Sequence, residues 1–291
     1  MKIIDAHFHM FPDHPFASSL LREVGHENSL DYLKRYYAEH GITAGIIMGN
    51  DHLEADFHRY PEPFYYCIGL DDHATERHAQ EELPALVEEH LRRERCVGIK
   101  LYTGYSPRTV NDPFYDFAFS LAAKYHKPVA IHTGMTAGAG GMLKYSHPLM
   151  LDEAAVRHPD VDIVMCHFGN PFLSEAAAVL EKNDNVFCDL SGLIEGVKDW
   201  DSYFDAQAGY IGQLRTWMAY VENWDKFMFG TDLPAVNIAN YIEFIRRLVP
   251  EAQHEKVFFE NANRIYRLGL LGGSHEATTH RRRLPGSAHC A

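Results

Sequence analysis

The sequence predicts a (β/α)8 barrel, the TIM-barrel form of the α/β class. Eight short runs rich in β-branched and aromatic residues alternate with longer segments of helical periodicity, which is typical of parallel sheets. Eight such units within about 250 residues match the size of a closed barrel. An open doubly wound sheet is the alternative fold, but the chain has no Gly-x-Gly-x-x-Gly motif after its first strand.

Each predicted strand is a short apolar run, and each predicted helix has apolar residues spaced three and four apart. The predicted strands are Lys2–Ala6, Thr43–Met48, Phe64–Leu70, Cys96–Tyr102, Pro128–His132, Asp162–Cys166, Val186–Asp189 and Phe227–Gly230. The predicted helices between them are Ser29–His40, Glu82–Arg95, Pro113–Tyr125, Asp152–His158, Ser174–Asn183, Tyr210–Asn223 and Asn237–Val249. No linker or repeat divides these elements, so residues 1–270 form one predicted domain.

The last part of the chain has a different composition. From Leu271 a glycine-rich start leads into a segment with three consecutive arginines, Arg281–Arg283, and almost no apolar residues. Such a segment buries too little apolar surface to offset the entropy lost on ordering. We therefore predict a flexible tail over residues 271–291.

Composition excludes several classes of function. Forty acidic residues against 27 Lys and Arg give a net charge of −13, which argues against nucleic acid or an anionic membrane as the main partner. No apolar run approaches the roughly 20 residues that span a bilayer. Five widely spaced cysteines indicate no disulfide framework, so we expect a cytoplasmic protein. Acidic enzymes of this size often form homodimers, and we expect no nucleic-acid or membrane partner.

Histidines stand out in the composition and at the ends of predicted strands. The chain has 19 of them, and His7 and His9 follow the first strand. Because side chains alternate along a strand, both rings lie on one face. His132 ends the fifth predicted strand, His167 directly follows the sixth, and Asp232 follows the eighth. Active sites of barrels form at the carboxyl ends of the strands, so we expect these side chains to share one cavity.

Strand alternation supports this convergence. If Val129 and Ile131 pack against the helices, His132 turns inward, and the same alternation turns Asp232 inward on the eighth strand. Neutral imidazoles together with a carboxylate suit Zn²⁺ or a related transition metal, with positions left open for water. A lone histidine at such a position is more commonly buried and bonded to the backbone. The same placement on several strands indicates a metal site.

Six motifs along residues 1–270 resemble the amidohydrolase superfamily. They resemble most closely its amidohydrolase-related branch, which contains aminocarboxymuconate-semialdehyde decarboxylase. Together the motifs are specific for the branch but not for a substrate. The motifs are Asp5-Ala6-His7-Phe8-His9, Gly98-Ile99-Lys100-Leu101-Tyr102, Ile131-His132-Thr133-Gly134, His167-Phe168-Gly169, Phe229-Gly230-Thr231-Asp232-Leu233-Pro234 and Glu260-Asn261-Ala262-Asn263-Arg264-Ile265-Tyr266.

The resemblance implies a distorted (β/α)8 barrel that holds one divalent metal ion, usually zinc and sometimes manganese. It implies that His7, His9, His132 and Asp232 are the metal ligands and that His167 is a catalytic histidine. These residues suit the chemistry, since Asp232 can take a proton from water and return it to the product. His167 can orient that water or, when protonated, polarise a substrate carbonyl.

Two other charged residues share the inward side of the strands. Asp5 is either a hydrogen-bond partner that fixes an imidazole tautomer or a carboxylate capped by backbone amides. Outward packing of Val97, Ile99 and Leu101 would point Lys100 into the barrel, where a buried ammonium needs an anion, a substrate or a modification. In binuclear branches of the superfamily, a carboxylated lysine on the fourth strand bridges two metals. The other motifs match the mononuclear branch, so we expect Lys100 to bind a substrate carboxylate or form an ion pair.

The candidates for substrate binding are Lys100, Tyr102, Arg108 and Asn170, which lie on or just after predicted strands. The glycine-rich loop Met135–Met142 follows His132 and is predicted to be a mobile lid or a plain flexible loop.

The function predicted from these residues is a metal-dependent hydrolase in which water activated by the metal attacks the carbonyl of a small amide, lactone or ester. The alternative is a non-oxidative decarboxylase or hydratase of a small aromatic or unsaturated carboxylic acid, which two basic groups on the substrate side would favour. A non-catalytic barrel is less compatible with the complete set of ligand candidates. A TatD-like nuclease is disfavoured by the net charge of −13.

Overall fold

Eight parallel strands form one sheet in which each strand pairs with the next along the chain. The structure, a computed structural model, describes residues 1–11 and 14–271. All eight strands overlap the predicted ones, so the (β/α)8 barrel is confirmed. Apart from Leu271, the predicted tail lies outside the described residues. The strands are β1 Ile3–Phe8, β2 Ile42–Met48, β3 Phe64–Leu70, β4 Cys96–Leu101, β5 Val129–Ile131, β6 Ile163–Met165, β7 Val186–Asp189 and β8 Phe227–Met228.

Helices connect the strands and cover the outside of the sheet. They are α1 Pro15–Glu23, α2 Leu30–Glu39, α3 Asp72–Thr75, α4 Leu83–Leu91, α5 Asp116–Tyr125, α6 Met150–Arg157, α7 Leu173–Lys182, α8 Trp200–Ala206, α9 Ala208–Val221, α10 Ile238–Leu248 and α11 Asn261–Ile265. Seven overlap the predicted helices. The sequence pattern does not reveal α1, α3, α8 or α11. Three of these, α3, α8 and α11, have at most seven residues, so their apolar spacing extends over few turns. In the described ranges, no helix combines the length and apolar character needed to cross a bilayer.

The barrel closes less regularly between β8 and β1 than elsewhere. The strand β8 has only two residues, and closure depends on single hydrogen bonds such as Thr231 N–H to His7 O, 3.1 Å. A π-helical turn, Lys256–Glu260, packs against both strands. Its Val257 carbonyl accepts from Phe229 N–H at 2.8 Å. The distortion that the resemblance implies therefore lies at this seam.

Two apolar layers flank the sheet. Val129 and Ile131 belong to the large layer between the strands and the helices, whereas Ala130 belongs to the cluster inside the barrel, as predicted. The interior cluster is completed by side chains of the last helical segment, including Phe259 and Tyr266. Burial of these two layers is the main driving force for the fold. Polar side chains gather at the carboxyl ends of the strands.

The predicted alternation on β4 is wrong for Val97 and right for the residues after it. Val97 lies in the interior cluster, because the pairing of β3 with β4 shifts register near this residue and inserts one extra position. After the shift Ile99 and Leu101 pack outward. Lys100 pairs in register with the interior residue Ala130 and is fully buried inside the barrel.

Candidate metal centre

Three atoms of ligand type meet at the carboxyl end of the barrel, which we call the mouth. His7 Nε2 lies 3.4 Å from His9 Nε2. Asp232 Oδ1 lies 3.5 Å from His7 Nε2 and 3.4 Å from His9 Nε2. A tetrahedral ion with bonds of about 2.1 Å holds its ligand atoms about 3.4 Å apart. The three atoms therefore have the mutual distances of neighbouring ligands on one metal ion.

The far side of each ring fixes which nitrogen carries the proton. His7 Nδ1 lies 2.9 Å from the carboxylate oxygen Asp189 Oδ2, and His9 Nδ1 lies 2.8 Å from the amide oxygen Asn50 Oδ1. Because both oxygens accept, both Nδ1 atoms donate, and each Nε2 is left with a lone pair. Burial lowers the pKa of His7 to about 3, so the ring is neutral at neutral pH. Two lone pairs and a carboxylate oxygen thus face one another, which a cation would stabilise.

His132 supplies a fourth candidate ligand. It follows β5 directly, and its Nε2 is buried without a hydrogen-bond partner among the described residues. Its ring centroid lies 5.0 Å from that of His167, and its backbone N–H donates to Leu101 O. A buried, unpartnered imidazole nitrogen is costly unless something binds it. The residues present therefore fit a divalent ion.

Asp232 and His167 occupy strained backbone positions. Their φ angles are 62° and 63°, in the left-handed region that side chains other than glycine rarely adopt. Between them lies Gly192, where a Cβ atom would come within 2.7 Å of Asp232 Oδ2 and 2.9 Å of His167 Nδ1. Only glycine leaves room for both side chains, and such strain is typical of functional sites.

His167 is a buried ring held by one residue. Its Nδ1 lies 3.2 Å from the Ser191 carbonyl and 2.9 Å from Ser191 Oγ, and Asp232 Oδ2 is 3.9 Å away. The carbonyl only accepts, so Nδ1 donates and Nε2 is the ring's acceptor. Burial lowers the pKa of His167, opposed by the Asp232 and Asp189 carboxylates. Burial would raise the pKa of Asp232, but the histidines around it hold that pKa well below its ordinary value, so the carboxylate is ionised.

Asp189 is a residue of the site that the sequence motifs do not reveal. It is fully buried at the end of β7 and contacts both His7 and the His167 backbone N–H, the latter at 2.9 Å. Burial would raise its pKa, but those two neighbours hold the pKa below its ordinary value. Asp189 is the last residue of its predicted strand, as His132 is of the fifth, and this position indicates a place at the mouth.

Asp5 does not contact an imidazole. Its carboxylate accepts from Thr231 N–H at 2.9 Å, from Thr231 Oγ at 2.7 Å and from the Tyr37 hydroxyl at 2.9 Å. Of the two alternatives, the carboxylate capped by backbone amides is therefore correct, with the N–H groups of Thr231 and His7 as donors and two hydroxyls beside them. Asp5 fixes the Thr231 segment that leads into Asp232.

The hydrogen-bond partner of Lys100 is a cysteine thiol inside the barrel. Its ammonium donates to Cys166 Sγ at 2.9 Å and lies 5.3 Å from the centre of the Tyr102 ring. In the described ranges it forms no salt bridge with a carboxylate, so the expected ion pair is not found. Tyr102 is also buried, and its hydroxyl donates to Gly49 O at 2.7 Å. The Tyr102 hydroxyl is thus satisfied within the protein, whereas the Lys100 ammonium has one thiol acceptor and no carboxylate among the described residues. Contact of either side chain with substrate stays a prediction.

Arg108 and Asn170 differ in whether their polar side-chain atoms already have partners among the described residues. Arg108 Nη1 lies 3.0 Å from Asp72 Oδ1, and its guanidinium stacks 4.4 Å from the Phe114 ring centre, so its charge is matched. Asn170 Oδ1 is buried without a hydrogen-bond partner. Its backbone carbonyl accepts from Met135 N–H at 2.8 Å, which ties the Met135–Met142 loop to the mouth.

Aromatic rings border the donor group. The Phe11 ring stacks on His9 with centroids 5.8 Å apart, and the Tyr105 ring lies 4.8 Å from that of His132. Tyr105 is 41% exposed, so the ring is open to the mouth. The Tyr105 hydroxyl also accepts from Ala137 N–H at 2.8 Å. The site thus has apolar walls beside two of its candidate ligands.

A barrel with histidines and an aspartate gathered at the carboxyl ends of its strands defines a class of metal-dependent enzymes. Within that class, the chain belongs to the amidohydrolase family, whose sequence profile matches residues 4–268. This family is metal-dependent and includes hydrolases and decarboxylases. No curated protein matches the chain.

Solved structures share the fold at low identity. A probable 2-pyrone-4,6-dicarboxylic acid hydrolase from Acinetobacter baumannii, with citric acid bound, is 15% identical with a TM-score of 0.61, covering 92% of this chain and 100% of that one. An amidohydrolase from Burkholderia multivorans with bound zinc is 17% identical with a TM-score of 0.60, covering 92% and 99%. The 5-carboxyvanillate decarboxylase of Sphingomonas paucimobilis is 14% identical with a TM-score of 0.58, covering 91% and 99%.

Proposed function

We propose that the protein is a metal-dependent hydrolase of a small amide, lactone or ester, with one divalent ion held by His7, His9, His132 and Asp232. The observation that carries this proposal is the set of three donor atoms 3.4 to 3.5 Å apart, each with a lone pair toward the others. Imidazole and carboxylate ligands suit zinc, with manganese as the alternative. When bound, such an ion lowers the pKa of water from about 16 to about 7.

Asp232 and His167 are assigned the proton transfers. Asp232 is ionised, and its side chain is 30% exposed. Its Oδ1 atom faces His7 and His9, whereas Oδ2 is not one of the three facing donor atoms. It can therefore take the proton of the attacking water and return it to the leaving group. His167 keeps its proton on Nδ1, so its Nε2 can accept a hydrogen bond or proton from the same water.

The charges around the mouth favour an uncharged substrate. Lys100 is fully buried against Cys166, and the Arg108 charge is matched by Asp72. These were the two basic groups that would have favoured a dicarboxylate. Phe11 and Tyr105 instead offer apolar contact beside the ligands. Hydrolysis of an uncharged lactone, ester or amide with an apolar or flat portion therefore fits best.

Decarboxylation of a small aromatic acid is the second candidate. It is favoured by the same aromatic walls and by the family's decarboxylase members. In that reaction the ion would supply Lewis-acid polarisation of the substrate. His167 Nε2 or Asp232 Oδ2 would first take a proton from water and then deliver it to the substrate carbon as the bond to carbon dioxide breaks.

The experiment begins with elemental analysis of protein purified without added chelator or metal. The protein is then assayed on a panel of lactones, aryl esters, amides and aromatic carboxylates in water enriched in oxygen-18. Hydrolysis places the label in the acid product, whereas decarboxylation releases carbon dioxide and leaves the product unlabelled. Absence of metal, with no activity restored by added zinc or manganese, would overturn the proposal.

A further inference from the structure

The carboxylate of Asp189 is oriented by an unequal set of partners. One oxygen, Oδ1, accepts three hydrogen bonds, from His167 N–H at 2.9 Å, from Ser191 N–H at 3.2 Å and from Ser191 Oγ at 2.5 Å. The other oxygen, Oδ2, bonds the ring of His7 at 2.9 Å. All of these groups are buried. The carboxylate therefore cannot rotate without breaking three hydrogen bonds.

We propose that Asp189 is a positioning residue that holds the proton of His7 on Nδ1 and thereby keeps His7 Nε2 available as a metal ligand. This inference rests on the proposed metal role of His7. A carboxylate accepts only, so the His7 nitrogen facing it must donate. The opposite nitrogen then carries the lone pair that lies 3.5 Å from Asp232 Oδ1.

The same carboxylate links the metal ligand to the catalytic histidine. Ser191 Oγ donates to Asp189 and, through its own lone pair, accepts from His167 Nδ1 at 2.9 Å. His7 lies on β1 and His167 lies just after β6, with ring centroids 4.8 Å apart. Asp189 thus fixes the tautomer of one ring directly and supports that of the other through Ser191.

The substitution Asp189→Asn reverses one of these hydrogen bonds and keeps the rest. Because three donors face the Oδ1 position, the amide oxygen must stay there and the amide nitrogen must face His7. His7 Nδ1 then has to accept, which moves the ring proton to Nε2 and blocks the metal-binding atom. Asp71→Asn is the matched control. Asp71 is also a buried carboxylate after a strand, but in the part of the chain that the structure describes it bonds only the backbone N–H groups of Asp51 and Ala74.

The test measures tautomer and zinc affinity separately. Long-range proton–nitrogen NMR of metal-free, nitrogen-15-histidine protein, with the His7 signals assigned by His7→Asn, should show Nδ1 protonated in the wild type and Nε2 protonated in Asp189→Asn. Calorimetric titration with Zn²⁺ should give about 10- to 100-fold weaker binding in Asp189→Asn. Asp71→Asn should match the wild type in both measurements.

Two results would overturn the proposal. One is a wild-type His7 protonated on Nε2, a measurement that needs no folded variant. The other is zinc binding by Asp189→Asn as tight as that of the wild type. If the wild type itself binds neither zinc nor manganese, the proposed function fails, while the tautomer measurement still decides the role of Asp189.

Discussion

His7 and His9 point their Nε2 atoms at each other across 3.4 Å, and each ring is fixed from behind by an acceptor, Asp189 for His7 and Asn50 for His9. With the ring protons held on the two Nδ1 atoms, the facing nitrogens cannot share a hydrogen bond, because neither carries a proton. A divalent cation bound by His7, His9 and Asp232 would accept the lone pairs of both facing nitrogens. The predictions about metal binding follow from this pair.

The wild-type protein should bind about one equivalent of divalent metal per chain. Replacing His132 or Asp232 with alanine should remove that metal while the barrel still folds, because both residues lie at the mouth outside the apolar layers. Elemental analysis measures the metal, and circular dichroism checks the fold. Full metal content in both variants would refute the ligand assignment. Two equivalents in the wild type would instead give Lys100 a bridging role.

Replacing His167 with alanine should keep the metal and lower turnover by about 10²- to 10⁴-fold, the usual contribution of a positioned acid or base. The reason is that the four proposed ligands, and with them the three facing donor atoms, remain in this variant, whereas the ring that takes part in proton transfer is lost. Steady-state kinetics on the substrate found in the panel measures the loss. His126→Asn is a suitable control, since His126 is exposed at the end of α5 with φ 52°, which asparagine tolerates. Unchanged turnover in His167→Ala would make this ring structural.

Much of the site could be predicted because two geometrical rules act together. Strand alternation places His7 and His9 on one face, and parallel strands end at the same edge of a barrel. These rules depend only on local sequence, so they locate the histidines and Asp232 without any knowledge of side-chain contacts.

The partners of these residues could not be predicted in the same way. Asp189 lies 182 positions from His7 along the chain, and only closure of the barrel brings them together. Lys100 and Cys166 are 66 positions apart, and a thiol is not the partner that charge alone suggests for an ammonium. The register shift at Val97 is likewise a property of strand pairing, which the alternation of a single strand does not reveal.

Gly192→Ala should lower turnover strongly with a modest loss of stability. A methyl group there would come within 2.7 Å of Asp232 Oδ2, and the φ of 61° disfavours alanine, at a cost of about 1–3 kcal/mol. Urea unfolding and kinetics measure the two effects. Gly212→Ala, in the helix α9 with open space around its Cβ position, should raise stability by about 1 kcal/mol and leave turnover unchanged. Equal turnover in the two variants would show that Asp232 and His167 tolerate displacement.

Acid should destabilise the protein partly through His26. Burial, with His40 nearby, lowers the pKa of His26 to about 4, and its Nε2 accepts from Ile238 N–H at 3.0 Å. Its folded pKa lies below the unfolded value of about 6.5, so its contribution is fully present above pH 6.5 and is lost as the pH falls toward 4. The loss amounts to about 3 kcal/mol for a shift of this size.

Urea unfolding of the wild type and His26→Gln at pH 7 and pH 4.5 isolates this contribution. The free energy of unfolding should fall less between the two pH values in His26→Gln, because glutamine has no proton to gain and its side-chain oxygen can still accept from Ile238 N–H. The free energy of unfolding of His73→Gln, a variant at an exposed position, should fall as much as that of the wild type. If His26→Gln and the wild type lose the same free energy, protonation of His26 does not oppose folding, and the acid sensitivity lies in other buried groups.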